Sequence, residues 1–237
     1  MRALWIGPGA RRALRDGERG TVAVVLERGG YVRLGGGWVL LAPPRSPLGP
    51  LSLLVERVGA LEAGAPARMR AGALHVGGAR IELAGARVPP APRAQPLERR
   101  WRPALAAAQR SCPAPAGLED GLAALRRGDV TAATGMLAGR GPGLTPAGDD
   151  VLAGFAGWCH AAGTPVSLAA PRSSPIGLAY LRCAERGELP EPARVTLDAV
   201  RAGDAVLAAR RARVLARWGA TSGAAMLCGM SAASGAA

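Results

Sequence analysis

The spacing of apolar residues changes along this chain, and that change most constrains its fold. From Thr21 to about Pro90, short apolar runs alternate with polar residues and end at glycine pairs, which is typical of β-strands joined by tight turns. From Ala104 onward the apolar residues recur at helical spacing, and the segments close with glycine. The sequence therefore predicts an α+β protein, with a small antiparallel β barrel or sandwich followed by a mostly α-helical C-terminal half.

A proline-rich, charged segment from Val88 to Pro103 separates the two patterns. It predicts a β-rich domain over residues 1–95 and a mostly helical domain over residues 96–237. The strand-like segments are TVAVVLE, YVRL, WVLLA, LSLLVERV, ARMRAG, ALHVGG and ARIELAG. The later predicted helices cover residues 149–161, 176–186, 193–217 with a break at Gly203, and 223–234.

The composition excludes several kinds of chemistry. All 30 cationic residues are arginine, so no lysine can form a Schiff base or serve a nucleotide-binding P-loop. With only His75 and His160, a Ser-His-Asp triad and a multi-histidine zinc site are both disfavoured. Any reaction therefore has to use carboxylates, hydroxyls, arginines and backbone amides.

The charge is +13, and up to Arg102 the chain has 17 arginines against 7 acidic residues. Such an excess predicts a small anionic metabolite or an acidic partner. We do not expect nucleic acid, because the arginines are spaced singly and aromatic residues for base stacking make up only 3% of the chain.

The N-terminal residues MRALWIGPGARRALRDG lack the apolar core of a signal peptide, and residues 220–237 are too poor in Leu, Ile and Val to span a membrane. The cysteines are far apart, without a CxxC pair, which predicts reduced thiols and a cytoplasmic protein. They are Cys112, Cys159, Cys183 and Cys228. The pair Cys159 and His160 is interpreted as a buried thiol beside a helix-end histidine, because adjacent helical residues point about 100° apart.

The glycine-rich stretch GRGPGLTPAGDD precedes an apolar helix and is the strongest candidate site. Gly141, Gly143 and Gly148 let the backbone turn sharply beside a ligand, and the amides at a helix start favour an anion. Asp149 and Asp150 lie in the same place, where they can hold Mg²⁺ or simply stabilise the helix start. Both interpretations follow from the residues alone.

Two further helix starts carry hydroxyl groups. Thr221, Ser222 and Gly223 precede the last helix, and Arg172, Ser173 and Ser174 precede another. Each set predicts either an ordinary N-cap or additional donors for the same anion.

The segment GPGLTPAGDDVLAG closely resembles the signature G-x-G-L-T-P-S-G-D-D-x-L-x-G of the AllH-like bacterial family. A weaker likeness extends to residues 49–53 and to WGATSGAAMLCGM. The family includes a subunit of oxamate carbamoyltransferase, so the resemblance implies transfer of a carbamoyl group between oxalurate and phosphate, together with two larger partner subunits. It says nothing of the oligomeric state.

In the leading hypothesis, Asp149 and Asp150 are catalytic and either hold Mg²⁺ or orient the carbamoyl nitrogen. Catalytic Thr145 donates to oxyanions, and an arginine steers the acidic substrate. The predicted substrate-binding residues are Arg140, Gly141, Gly143, Gly148, Arg172, Ser173, Ser174, Thr221, Ser222 and Gly223.

Two departures from the family pattern bear on the substrate. Ala147 replaces a serine, and Ser173, Ser174 and Gly177 replace a Thr-Thr pair with a later serine. Two rival functions therefore stay open: a non-catalytic assembly or regulatory subunit, and a stand-alone enzyme acting on another small carboxylate or phosphate ester.

Overall fold

The computed structural model describes residues 1–95, 101–110, 116–170 and 172–234, so the predicted thiol of Cys112 lies outside the described residues. The chain forms two compact units, Met1–Ala91 and Pro92–Ala237. The first contains β-strands and the second contains helices, which confirms the α+β prediction.

The N-terminal unit is an eight-stranded sheet with one short helix, and it contains strands at all seven predicted segments. The sheet order is β1-β5-β4-β3-β2-β6-β7-β8. The elements are β1 Ala3–Ile6, α1 Pro8–Ala13, β2 Arg19–Leu26, β3 Gly29–Leu34, β4 Gly37–Ala42, β5 Ser52–Val55, β6 Pro66–Arg70, β7 Ala73–Val76 and β8 Ala79–Glu82.

The two edges of this sheet meet, so the unit is a nearly closed barrel rather than a sandwich. The amide of Glu82 donates to the carbonyl of Met1 at 2.9 Å, and the amide of Arg87 donates to the carbonyl of Leu4 at 2.9 Å. A barrel needs no exposed edge strands, because the outermost backbone groups pair with each other.

Three features of the barrel differ from the sequence-based prediction. Strand β1 and helix α1 precede the predicted strands, and β4 pairs with β5 in parallel. Residues 43–51 connect the end of β4 to the start of β5. They carry the chain back along the sheet, so that β5 runs in the same direction as β4. The β1–β5 pair is likewise non-local, so neighbouring sequence gives no signal for it.

The barrel core follows from alternation along the strands. On β6, Ala67 and Met69 are buried, whereas Pro66, Arg68 and Arg70 are exposed. Since side chains alternate across a strand, one face of each strand supplies the apolar interior and the other supplies the charged surface.

The helices of the second unit begin and end close to the predicted positions. The break predicted at Gly203 is confirmed: its φ is +73°, and Asp204 caps the next helix by accepting from the amide of Leu207. The helices are α2 Trp101–Gln109, α3 Glu119–Arg126, α4 Val130–Leu137, α5 Ala147–Ala161, α6 Pro175–Ala184, α7 Glu191–Arg201, α8 Ala205–Ala216 and α9 Ser222–Ala233.

Helices α5 and α9 pack unusually closely because glycines face the partner backbone. A Cβ on Gly154 would overlap the carbonyl oxygen of Met226, and a Cβ on Gly229 would overlap that of Val151. The contact continues to the helix starts, where Asp150 meets Ser222. The two motifs of the sequence are therefore brought together by glycine-mediated packing.

Within the described ranges, the helices are all too short or too polar to cross a bilayer.

Candidate functional site

The candidate site lies in the helical unit, where α5, α6 and α9 begin. Asp149 and Asp150 occupy the first turn of α5, in which negative charge is stabilised by the helix dipole. They are only 3% and 4% exposed. Burial of two adjacent carboxyl groups is costly unless each finds partners, so their contacts decide what the site can do.

One oxygen of Asp149 is held from two sides. Its Oδ1 accepts from the backbone amide of Gly139 at 2.7 Å and from the hydroxyl of Ser173 at 2.7 Å. Its Oδ2 lies against the first turn of α6, where a Cβ on Gly177 would overlap it. The glycine that departs from the family pattern is therefore the residue that makes room for this oxygen.

Asp150 faces the start of α9. Removal of the carboxyl group from water raises the pKa of Asp150 to about 7, the hydrogen bond with Ser222 opposes the rise, and the charge of Asp149 adds to it. A carboxyl group with such a pKa can exchange a proton near neutral pH, which suits general acid or base chemistry.

The second oxygens of the two carboxyl groups share a further property. Across the described ranges, neither Asp149 Oδ2 nor Asp150 Oδ2 has a hydrogen-bond partner, although both are shielded from solvent. Buried acceptors without donors are rare in folded proteins. Both atoms can therefore accept a hydrogen bond from a ligand or bind a cation.

The loop before α5 is tied to α6. Ser174 caps α6 by accepting from the amide of Gly177 at 2.9 Å, and its hydroxyl donates to the carbonyl of Leu144 at 2.7 Å. Gly141 and Gly143 have φ values of +111° and +94°, which L-residues with side chains rarely adopt. The exposed loop therefore turns where the sequence predicts it.

Of the predicted site residues, Ser173, Ser174 and Ser222 join the two aspartates or the adjoining loop. Two predicted glycines pack closely against neighbouring backbone: a Cβ on Gly148 would overlap the carbonyl oxygen of Leu137, and one on Gly223 would overlap the carbonyl oxygen of Leu215. Their substrate-binding roles stay predictions.

The other predicted side chains, those of Thr145, Thr221, Arg172 and Arg140, differ in exposure and surroundings. Thr145 is half-buried, Thr221 is exposed and gives α9 no side-chain cap, and Arg172 is exposed. Arg140 faces α3: backbone hydrogen bonds at Glu119 and Gly117 lower the pKa of Glu119, and the Arg140 guanidinium adds to this shift.

Sequence reasoning missed two contributions to the site. These are the amide of Gly139, which donates to Asp149, and the contact between Gly177 and the same carboxyl group. Gly139 is the first residue of the glycine-rich motif, so the sequence could have indicated that it belongs to the site. The hydrogen bond from Ser174 to the carbonyl of Leu144 could not be inferred, because every residue has a backbone carbonyl.

The thiol of Cys159 is not suited to nucleophilic chemistry. Burial raises the pKa of the Cys159 thiol to about 11, so it is a poor nucleophile, in agreement with its interpretation as a buried thiol. The described residues also contain no group of three or more His, Cys, Asp and Glu side chains placed to hold a metal ion.

Part of the helical unit is similar to a known protein family. Residues 137–234 match the family model described as oxamate carbamoyltransferase subunit AllH, which confirms the predicted resemblance over a segment that includes α5, α6 and α9. No curated protein and no solved structure matches the chain.

Proposed function

The chain is AllH-like over residues 137–234, and from this premise we propose that it is a carbamoyltransferase-type subunit that binds its substrate where α5, α6 and α9 begin. The observation that carries the proposal is the pair of buried aspartate oxygens without a partner in the described parts of the chain. A carbamoyl group supplies what they lack, since its NH₂ has two donor hydrogens.

The surroundings suit the rest of such a substrate. A carbamoyl carbonyl or an attached carboxylate or phosphate accepts hydrogen bonds, and helix starts offer backbone amides for this purpose. Thr145, Thr221 and Ser222 add hydroxyl groups near two of these starts. Donors and acceptors of a carbamoyl compound thus each have a counterpart in the site.

Asp150 is suited to move a proton in the transfer. When a phosphate oxygen attacks the carbamoyl carbon of oxalurate, a C–O bond forms and the C–N bond to the oxamate nitrogen breaks. The leaving nitrogen takes up one proton and the phosphate gives up one, so the reaction needs no other reactant. A carboxyl group with a pKa of about 7 is half protonated at neutral pH and can donate that proton.

Mg²⁺ bound by Asp149 and Asp150 is the second way to use the same two oxygens. Magnesium binds through one or two carboxylates and completes its shell with water and phosphate oxygens, so a site with only two carboxylates fits it. The two forms of the proposal differ in a measurable way: a bound cation would lower the pKa of Asp150, whereas a carbamoyl NH₂ needs no metal.

The test is calorimetric titration of the full chain with carbamoyl phosphate, with and without Mg²⁺. We expect wild-type protein to bind and Asp149→Asn to lose at least about tenfold in affinity, because a charged hydrogen-bond acceptor is replaced by a neutral one. The matched control is Asp204→Asn, the same substitution at the start of α8, where Asp204 caps the helix and asparagine can do the same.

The outcomes separate the rival functions. If Asp149→Asn and Asp204→Asn bind as wild type does, the proposed site is wrong. If the isolated chain binds no carbamoyl phosphate but co-purifies with larger subunits, the assembly role is favoured. If it binds and turns over another small anion alone, the stand-alone enzyme is favoured.

A further inference from the structure

A row of basic side chains, three arginines and one histidine, crosses the outside of the barrel. In the strand register, Arg19 of β2 lies opposite Arg68 of β6, Arg68 lies opposite His75 of β7, and His75 lies opposite Arg80 of β8. Directly opposed residues have Cβ atoms about 5 Å apart, so these four side chains are immediate neighbours. The sequence does not show the row, because its members come from four separate segments.

Most of the row has no counter-charge. Arg80 pairs with Glu82 at 2.9 Å. Arg19, Arg68 and His75 form no ion pair with any other residue that the structure describes, and both arginines are exposed. Like charges placed directly opposite each other disfavour the sheet, so the strand pairing by itself gives no reason for this arrangement.

The same three side chains line a cavity of about 520 Å³. Its lining also includes the buried residues Ala67 and Val76 and the turn at Gly77 and Gly78. This volume is within the range of small-ligand sites. None of the described Phe, Tyr and Trp side chains lines it, so it offers charge and shape rather than a large ring on which a base could stack.

We propose that three members of this basic row, Arg19, Arg68 and His75, together bind a small multivalent oxyanion. Each guanidinium presents a planar fork of donors that pairs with two oxygens of a phosphate or carboxylate, and two such forks side by side suit a ligand with two adjacent anionic groups. The imidazole adds a third donor. The site belongs to the barrel and does not depend on the function proposed for the helical unit.

The test uses the two histidines of the chain as reporters. Ring resonances of His75 and His160 are separated by NMR, with His75→Gln as the assignment control, and the full protein is titrated with inorganic pyrophosphate and, in a second arm, with citrate. We expect the His75 resonance to move with saturation while that of His160, which is on α5, stays in place. Comparison of the two arms tells phosphate from carboxylate preference.

The variant Arg19→Gln/Arg68→Gln should weaken binding by at least about tenfold, because each arginine contributes charge-assisted hydrogen bonds. The matched control is Arg45→Gln, an exposed arginine between β4 and β5 that does not line the cavity. It should leave the affinity within about twofold. An unmoved His75 resonance in both arms, or an equal loss in Arg45→Gln, would overturn the proposal. Binding of a single-stranded RNA oligomer but neither small anion would also overturn it.

Discussion

The barrel and the helical unit treat polar side chains in opposite ways. In the described part of the barrel, Ser52 is the one buried polar side chain apart from aromatic residues. Its hydroxyl accepts a hydrogen bond from the amide of Gly49. The helical unit instead buries two adjacent carboxyl groups, Asp149 and Asp150. The barrel therefore keeps its acidic and basic side chains at least partly exposed to water, whereas the helical unit encloses two carboxyl groups.

This difference indicates that the helical unit, rather than the barrel, contains side chains that destabilise the folded state. Alternation along a strand places charge outside automatically, so charges on the barrel surface have small effects on folding. A buried carboxyl group without a full set of partners destabilises the folded state, and it persists where a site requires it. The contrast predicts large, specific effects in the helical unit and small, salt-dependent ones on the barrel.

The largest effect is expected where α5 and α9 touch. In Gly154→Val the new side chain would overlap the carbonyl of Met226, and backbone cannot move aside without separating the helices. We expect the free energy of unfolding to fall by more than about 4 kcal/mol. Thermal and urea unfolding of the full chain, followed by circular dichroism at the helical signal, measures the loss.

The control is Gly135→Val in α4, where nothing lies within 4 Å of an added Cβ. Its stability should stay within about 0.5 kcal/mol of wild type, since the position is exposed and glycine is itself a poor helix former. Equal unfolding temperatures for the two variants would contradict the close packing.

A smaller effect is expected from Asp150, and it depends on pH. The folded state holds the Asp150 proton up to a pKa of about 7, against an ordinary 3.8, so between these values the unfolded chain loses the proton first. The contribution to stability is therefore complete below about pH 4, falls as pH rises and is lost above about pH 7.

Asp150→Asn should remove this dependence. A shift of about three pKa units corresponds to about 4 kcal/mol, part of which the variant forfeits through its altered contact with Ser222. We expect it to be about 2 kcal/mol more stable than wild type at pH 8 and no more stable at pH 4. Urea unfolding across that range measures the difference, and Asp120→Asn, at an exposed position of α3, should leave the pH dependence unchanged. Parallel curves for wild type and Asp150→Asn would contradict the raised pKa.

The smallest effect is expected on the barrel surface. Arg68→Gln removes a like-charge pair across two strands, and without ligand it should raise stability by about 0.5 kcal/mol at low salt. The gain should shrink as salt increases, because exposed charges are screened. Thermal unfolding at several salt concentrations checks this, and a salt-independent effect would point to packing rather than charge.

Much of the candidate site could be read from the sequence because it is written in local motifs. The positive φ of Gly141 and Gly143, the capping of α6 by Ser174 and the start of α5 two residues before Asp149 all follow from residues a few positions apart. The pairing of Asp149 with Ser173 could not be predicted, because 24 residues separate them and several other hydroxyls were equally plausible.

The sequence by itself determined the succession of a β-rich part and a helical part, the break at Gly203 and the segments that carry the chemistry, because periodicity, glycine and proline act over one or two turns of chain. Only the tertiary structure decided which segments meet. The closure of the barrel, the basic row and the burial of Asp149 and Asp150 arise from pairings between distant strands and helices. Such pairings depend on packing over the whole unit, and the removal of a carboxyl group from water is a property of that packing rather than of its neighbours in sequence.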